Sequence, residues 1–251
     1  MNRRYGKQIR KTFKLRLTFY FMVLEFSLGR FYGIDSLLDF AIVVVAFMVS
    51  YQGRRVYKIL NDRNYKLFSY SFFCIGVAFL LKILVNLTIV HKVIITNPNF
   101  VSVIVREVSG TKLINFFSFI LYKSFFISGL LILFLIFMKN YKRSDVVLFG
   151  YLSVLTILLS IYFNFVFHLT LVVLLINIAS YFYENYTKNK SKQSLISFVA
   201  FVFILAGNLV DIFYSFSAFI YLFGELLIFA GFVVLFFNHV GIKNEQKKNK
   251  T

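Results

Sequence analysis

A chain of 251 residues that is 59% hydrophobic and only 15% charged has too little polar surface to clothe a water-soluble globule of its size. The net charge of +18 does not point to nucleic acid, because Lys and Arg fall between apolar runs and at the two ends, as cytoplasmic loops of membrane proteins do. A single cysteine, Cys74, excludes an intramolecular disulfide and a Cys-x-x-Cys metal site, and three scattered histidines lack metal-ligand spacing.

Residues 1–16 are strongly basic and lead into an apolar stretch, Leu17–Leu28, broken by Glu25. That order of charge and hydrophobicity resembles a signal peptide, but no small-x-small cleavage pattern follows, so the stretch is expected to be retained. It either crosses the membrane as a short helix or lies in the interface. Seven clear apolar spans come next: Ile34–Tyr51, Leu67–Val90, Leu113–Met138, Val146–Phe165, His168–Tyr183, Ser194–Phe216 and Ala218–Val240. Each has about the length that a helix needs to cross hydrocarbon. The loops after the first, third, fifth and seventh hold fifteen Lys and Arg, against four on the opposite side. The positive-inside rule therefore puts the C-terminus in the cytoplasm. It also favours an N-terminal crossing that keeps the basic tail inside, whereas the shortness of Leu17–Leu28 and the charge of Glu25 argue against one.

The outer loop 91–112 sets two β-branched runs around Asn97-Pro98-Asn99, a pattern that predicts a β-hairpin over the outer face. Pro98 is the one proline, so no span is broken by proline as transporter spans often are. No internal repeat is visible. The tail beyond residue 240 is basic and is expected to lack regular structure.

Five charged residues fall inside these spans: Asp39, Lys82, Lys123, Asp211 and Glu225. Each costs about 2.5–3.5 kcal/mol near the bilayer centre on an insertion scale, so each should face protein or water and find a partner. Counted along the helices, all five lie in the outer half or the middle. Helical spacing adds polar company: Asn86 lies four residues from Lys82, Asn208 three from Asp211, and Tyr221 four from Glu225. Asp35 extends the Asp39 face outward. The sequence thus predicts a polar pocket in the outer half of the bundle, built from Asp39, Lys82, Asn86, Lys123, Asn208, Asp211 and Glu225, with Lys123 and Glu225 as its deepest pair. Two simpler readings compete: ion pairs that only fix helix register, and snorkelling of Asp39, Asp211 and Lys82 towards the outer interface. His91, His168 and His239 read as interfacial.

Searches for catalytic chemistry fail. No HExxH, GxSxG, Walker loop or pair of catalytic aspartates is present, and Cys74 is expected near the inner side of the membrane while His91 and His168 lie near the outer one. No catalytic residue, metal or cofactor is expected.

The stretch Tyr51–Leu81 carries Arg54, Arg55, Tyr57 and Arg63 into Phe68-Ser-Tyr-Ser-Phe-Phe73. It resembles loops in uncharacterised prokaryotic seven-span membrane proteins and is similar to the membrane sensor regions of some histidine kinases. The likeness covers about thirty residues and transfers no functional residue. It implies a sensor whose signal passes to a separate partner.

The reading that results is an all-α polytopic integral membrane bundle of seven transmembrane helices plus an N-terminal helix. Residues 1–33 form the tail and short helix, 34–240 the bundle, and 241–251 a basic cytoplasmic tail. The expected function is a non-catalytic receptor- or sensor-like or accessory module of the cell membrane. Its expected partners are the lipid bilayer, a small ligand or ion in the outer pocket, and a protein at the basic loops; nucleic acid is not among them. The alternative is a small-solute or ion transporter using the same charged residues, with Asn177 and Ser180 as polar groups of its inner half.

Overall fold

The structure, a computed structural model, describes residues 32–95, 108–138, 142–161, 163–213 and 217–248, with side chains for 34–86, 116–138, 142–161, 163–213, 217 and 219–238. The segment Leu17–Leu28 with Glu25, and residues 96–107 of the outer loop, lie outside the described residues. Seven helices form: α1 (Tyr32–Leu60), α2 (Arg63–Ile95), α3 (Val108–Phe137), α4 (Arg143–Leu159), α5 (Asn164–Asn189), α6 (Lys192–Asp211) and α7 (Ala218–Lys248). There is no strand among the described residues.

Six of these helices are long and apolar enough to cross a membrane; α4, with 17 residues, is the shorter seventh. The six close a ring, in the order α1, α2, α3, α5, α6, α7 and back to α1, and α4 packs outside it against α3 and α5. The sense of each helix follows from its contacts. Phe126 meets Phe167 and Phe137 meets Phe182, so α3 and α5 run parallel. Phe134 meets Phe149 while Lys123 reaches Ser160, so α4 runs against α3.

The helices are sided inside out relative to a soluble bundle. On α1, Leu37, Phe40, Val44 and Met48 share one exposed face at helical spacing, and Leu37 is 72% exposed. The opposite face buries Asp35, Asp39, Ile42, Ala46 and Val49. An exposed apolar face with carboxylates inside is stable in hydrocarbon and aggregation-prone in water. The architecture is that of a helical membrane bundle.

Close helix approach replaces hydrophobic force between such helices. A Cβ built on Gly207 of α6 would lie 2.7 Å from the Gly224 carbonyl of α7, so these two backbones touch where any other residue would part them. Hydroxyls tie the next crossings. Ser50 and Ser69 each donate to the other's carbonyl, at 2.8 and 2.7 Å, and Ser71 donates to the Gly129 carbonyl at 2.7 Å. At the same end of the bundle, Asn238 donates to Ser197 at 2.8 Å.

Several sequence expectations change. The basic stretch after the first span is mostly helical, because α1 carries Arg54, Arg55 and Lys58 before it ends. Asn61 ends it in the left-handed conformation (φ 51°), which Asn tolerates, with its N–H on the Tyr57 carbonyl. The expected β-hairpin is corrected where it is described: residues 91–95 continue α2 and 108–112 open α3. The first β-branched run, joined to a long apolar helix, extends that helix as far as Ile95, because the helical ladder already satisfies its backbone; the second run, 100–105, lies outside the described residues. The tail expected to lack structure is helical as far as Lys248. The break between the fourth and fifth spans falls at 160–163, so Asn164 and Phe165 open α5.

Candidate functional site

The charged residues inside the spans all turn inward. Asp39 is 0% exposed, Lys123 1%, Asp211 2% and Glu225 3%, and the Lys82 side chain is 12% exposed. Snorkelling therefore accounts for none of them. The apolar pattern that buries one face of each helix forces this placement, because a charge on that stripe faces neighbouring helices: the ring interior for Asp39, Lys82, Asp211 and Glu225, and α4 for Lys123.

The centre of the site is the Lys82 ammonium of α2. It donates to Glu225 Oε1 of α7 at 2.6 Å and to Asp39 Oδ1 of α1 at 3.0 Å, which stitches three helices together. Asp35 stands one turn farther out on α1, with the Tyr221 hydroxyl in hydrogen-bonding reach and the charges of Glu225 and Lys82 acting on it. Asp211, at the end of α6, joins the same electrostatic group. Its approach depends on Gly224, because a Cβ there would run into the Asp211 carboxylate. Two carboxyl groups thus bond the amine, and two more stand close enough for their charge to act on the group. One oxygen of each, Asp35 Oδ1, Asp39 Oδ2, Asp211 Oδ1 and Glu225 Oε2, is buried without a hydrogen-bond partner.

Aromatic rings complete the walls. The Phe79 centroid lies 5.5 Å from the Lys82 nitrogen, and Tyr122 and Tyr221 are close enough for their hydroxyls to act on its charge. On the side facing the basic end of the bundle, Phe79 packs edge-on against both Phe126 and Phe232, with centroids 5.3 and 5.8 Å away. Asn86, one turn out from Lys82, is buried, and its Nδ2 has no partner.

Lys123 does not pair with Glu225. Its ammonium donates to the Ser160 carbonyl at 3.0 Å and sits over the Phe119 ring at 3.9 Å. It caps the C-terminal end of α4, where unsatisfied carbonyls concentrate negative charge. The Asn208 amide turns instead to its own helix, donating to the Ile204 carbonyl at 2.9 Å, with His168 close enough for the two to influence each other. The site thus unites Asp39, Lys82, Asp211 and Glu225 of the expected set, with Asn86 beside them, and leaves Lys123 and Asn208 outside.

Sequence reasoning underused Asp35 and missed Phe79 and Tyr122. Asp35 and Tyr221 shared helical faces with Asp39 and Glu225, which was a usable signal. The two aromatic residues had none, in a chain with 35 phenylalanines and 16 tyrosines. His168, read as interfacial, is a second-layer neighbour of Asn208. Asn177 and Ser180, the two polar groups of a possible inner path, are exposed on the outside of α5, and Asn177 bonds back to its own helix.

Depth follows from helix rise. Lys82 lies 16 residues from Lys66 on α2 and Asp39 15 residues from Arg54 on α1, about 24 and 22 Å at 1.5 Å per residue. The carboxylates gather near one end of the bundle, while Arg54, Arg55, Lys58, Lys66, Arg143 and Lys192 lie exposed at the other. No group of three His, Cys, Asp or Glu side chains among the described residues is close enough to hold a metal ion. No family model, curated protein or solved structure matches the chain.

Proposed function

We propose that this chain is a non-catalytic, multi-pass module of the cell membrane, receptor- or sensor-like or accessory to a partner, that binds a small solute near its outer face. One observation carries the reading: side chains from α1, α2, α6 and α7 meet around Lys82 with more acidic groups than that amine can pair. A register-fixing ion pair needs one carboxylate per ammonium. The other three acids, buried at the cost of their hydration, are surplus to that task.

In this reading the chain crosses seven times with an added N-terminal helix, and the C-terminus and basic loops are cytoplasmic. α4 spans about 26 Å at 1.5 Å per residue, a little short of the roughly 30 Å hydrocarbon layer. Lys123 satisfies its outer end inside protein, which makes a short crossing tolerable. The basic face is the surface for a protein partner. Binding is better supported than passage, because Phe79, Phe126 and Phe232 fill the ring between the site and the basic end.

The test is a thermal-unfolding screen of the detergent-purified full chain against charged and neutral small solutes, repeated with Asp39→Asn and Glu225→Gln. A solute that stabilises the wild type saturably and leaves both variants unmoved supports the reading. If every solute class shifts wild type and variants alike, the site is structural and the proposal is wrong.

A further inference from the structure

We propose that the solute is a small organic ammonium ion, held by Asp35, Asp211 and Glu225 beside the amine of Lys82. This rests on the reading above and names the ligand class of the same site.

Charge comes first. Among the described residues Lys82 is the one amine beside Asp35, Asp39, Asp211 and Glu225 and can neutralise one of the four acids. The low-polarity interior of a bundle amplifies any negative charge that remains, which is balanced either by protons kept on the acids or by an added cation. The form of that charge is narrowed by spacing. The carboxylates come from α1, α6 and α7, consecutive helices of the ring, yet no three acidic side chains among the described residues come close enough to share a metal ion. An alkylammonium makes separate hydrogen bonds to separated oxygens, whereas a metal ion gathers them.

The site already shows that it accepts this group. The end of the Lys82 side chain is an alkylammonium, and its nitrogen sits 2.6 Å from one carboxylate and 3.0 Å from another with an aromatic ring at 5.5 Å. Carboxylates beside aromatic faces are the recognition chemistry of ammonium ions. A second, independent observation marks unused capacity. Asn86 is 7% exposed, shares the Lys82 face of α2, and carries a buried Nδ2 with no partner. Beside the donors and acceptors satisfied by Lys82, the site thus keeps one free amide donor and a free oxygen on each acid. A ligand with an ammonium group and a neighbouring hydroxyl or carbonyl acceptor would use both.

The experiment uses the detergent-purified full chain at one pH and constant ionic strength, titrated with propylammonium, ethanolammonium, sodium and potassium chlorides while the unfolding temperature is read. The two ammonium salts are expected to give a saturable rise, with ethanolammonium half-saturating at lower concentration than propylammonium. Asp211→Asn, with Asn isosteric to limit folding loss, should raise the half-saturating concentration at least tenfold, while Asp145→Asn at the opposite end leaves it unchanged. Equal responses to sodium, potassium and ammonium salts would overturn the ammonium assignment. So would a saturable response that appears only with neutral or anionic solutes, although the binding module would then stand. Absence of any saturable, Asp211-dependent response to every solute class would overturn both. Should Asp211→Asn fail to fold, Glu225→Gln and isothermal calorimetry of wild type with ethanolammonium give the same decision.

Discussion

Lys82 and Lys123 are both lysines buried in helices of the same ring, yet their surroundings give them opposite energetics. Among the described residues, Lys82 is the single cation beside four carboxyl groups. Lys82→Met leaves buried acids without their amine, and breaking a buried pair in this way costs about 3–5 kcal/mol. Lys123 faces a carbonyl and two aromatic rings, with no carboxylate among the described residues paired to it. Lys123→Met orphans the Ser160 carbonyl, at about 1–3 kcal/mol. It also removes an ammonium whose desolvation, without a carboxylate, costs several kcal/mol. The second effect is larger, so Lys123→Met is expected to be neutral or stabilising. Chemical unfolding in mixed micelles checks both. A double-mutant cycle of Lys82→Met with Glu225→Gln should show coupling of 1 kcal/mol or more, and one of Lys123→Met with Glu225→Gln should be additive to about 0.5 kcal/mol. Coupling confined to the second cycle would contradict this assignment of partners.

At the scale of elements, the hairpin α6–α7 sets the geometry on which the site depends. Gly207 and Gly224 bring two backbones into contact, and that contact brings Asp211 beside Glu225. Gly207→Ala would force a Cβ to within 2.7 Å of a carbonyl oxygen and 2.5 Å of Ile228, with no flexible chain on the carbonyl side to yield. Overpacking of this kind costs about 1–3 kcal/mol. Gly150 on α4 has open space around its missing Cβ, so Gly150→Ala should cost nothing and gain up to about 1 kcal/mol from helix propensity. Melting temperatures of the two variants should therefore move in opposite directions. A Gly207→Ala protein as stable as wild type would show that the α6–α7 crossing is looser than described.

The described part of the molecule is polarised, with buried carboxylates gathered at one end and exposed cations spread over the other. The proposed orientation puts the cationic end in the cytoplasm. Single cysteines at Lys190 and Asp62, introduced with Cys74 replaced by Ser, should react with a membrane-impermeant maleimide only after the cells are opened. A cysteine at Lys142 should behave in the same way, because α4 starts at the end where α5 finishes. Labelling of Lys190→Cys or Asp62→Cys in intact cells would reverse the orientation, and labelling of Lys142→Cys alone would remove the α4 crossing.

Much of this architecture was legible in one dimension. Apolar length and the spacing of Lys and Arg determine that helices of membrane-crossing length form and which of their ends are cationic, because transfer into hydrocarbon acts on each segment by itself. The same local cost requires Asp39, Lys82, Lys123, Asp211 and Glu225 to turn inward. Which of them meet was not legible. Glu225 found Lys82, and Lys123 found the end of α4, because partner choice depends on helix order around the ring, on α4 lying outside it, and on glycines that bring α6 and α7 together. Those are properties of packing between segments far apart in sequence, and no periodicity within a segment records them.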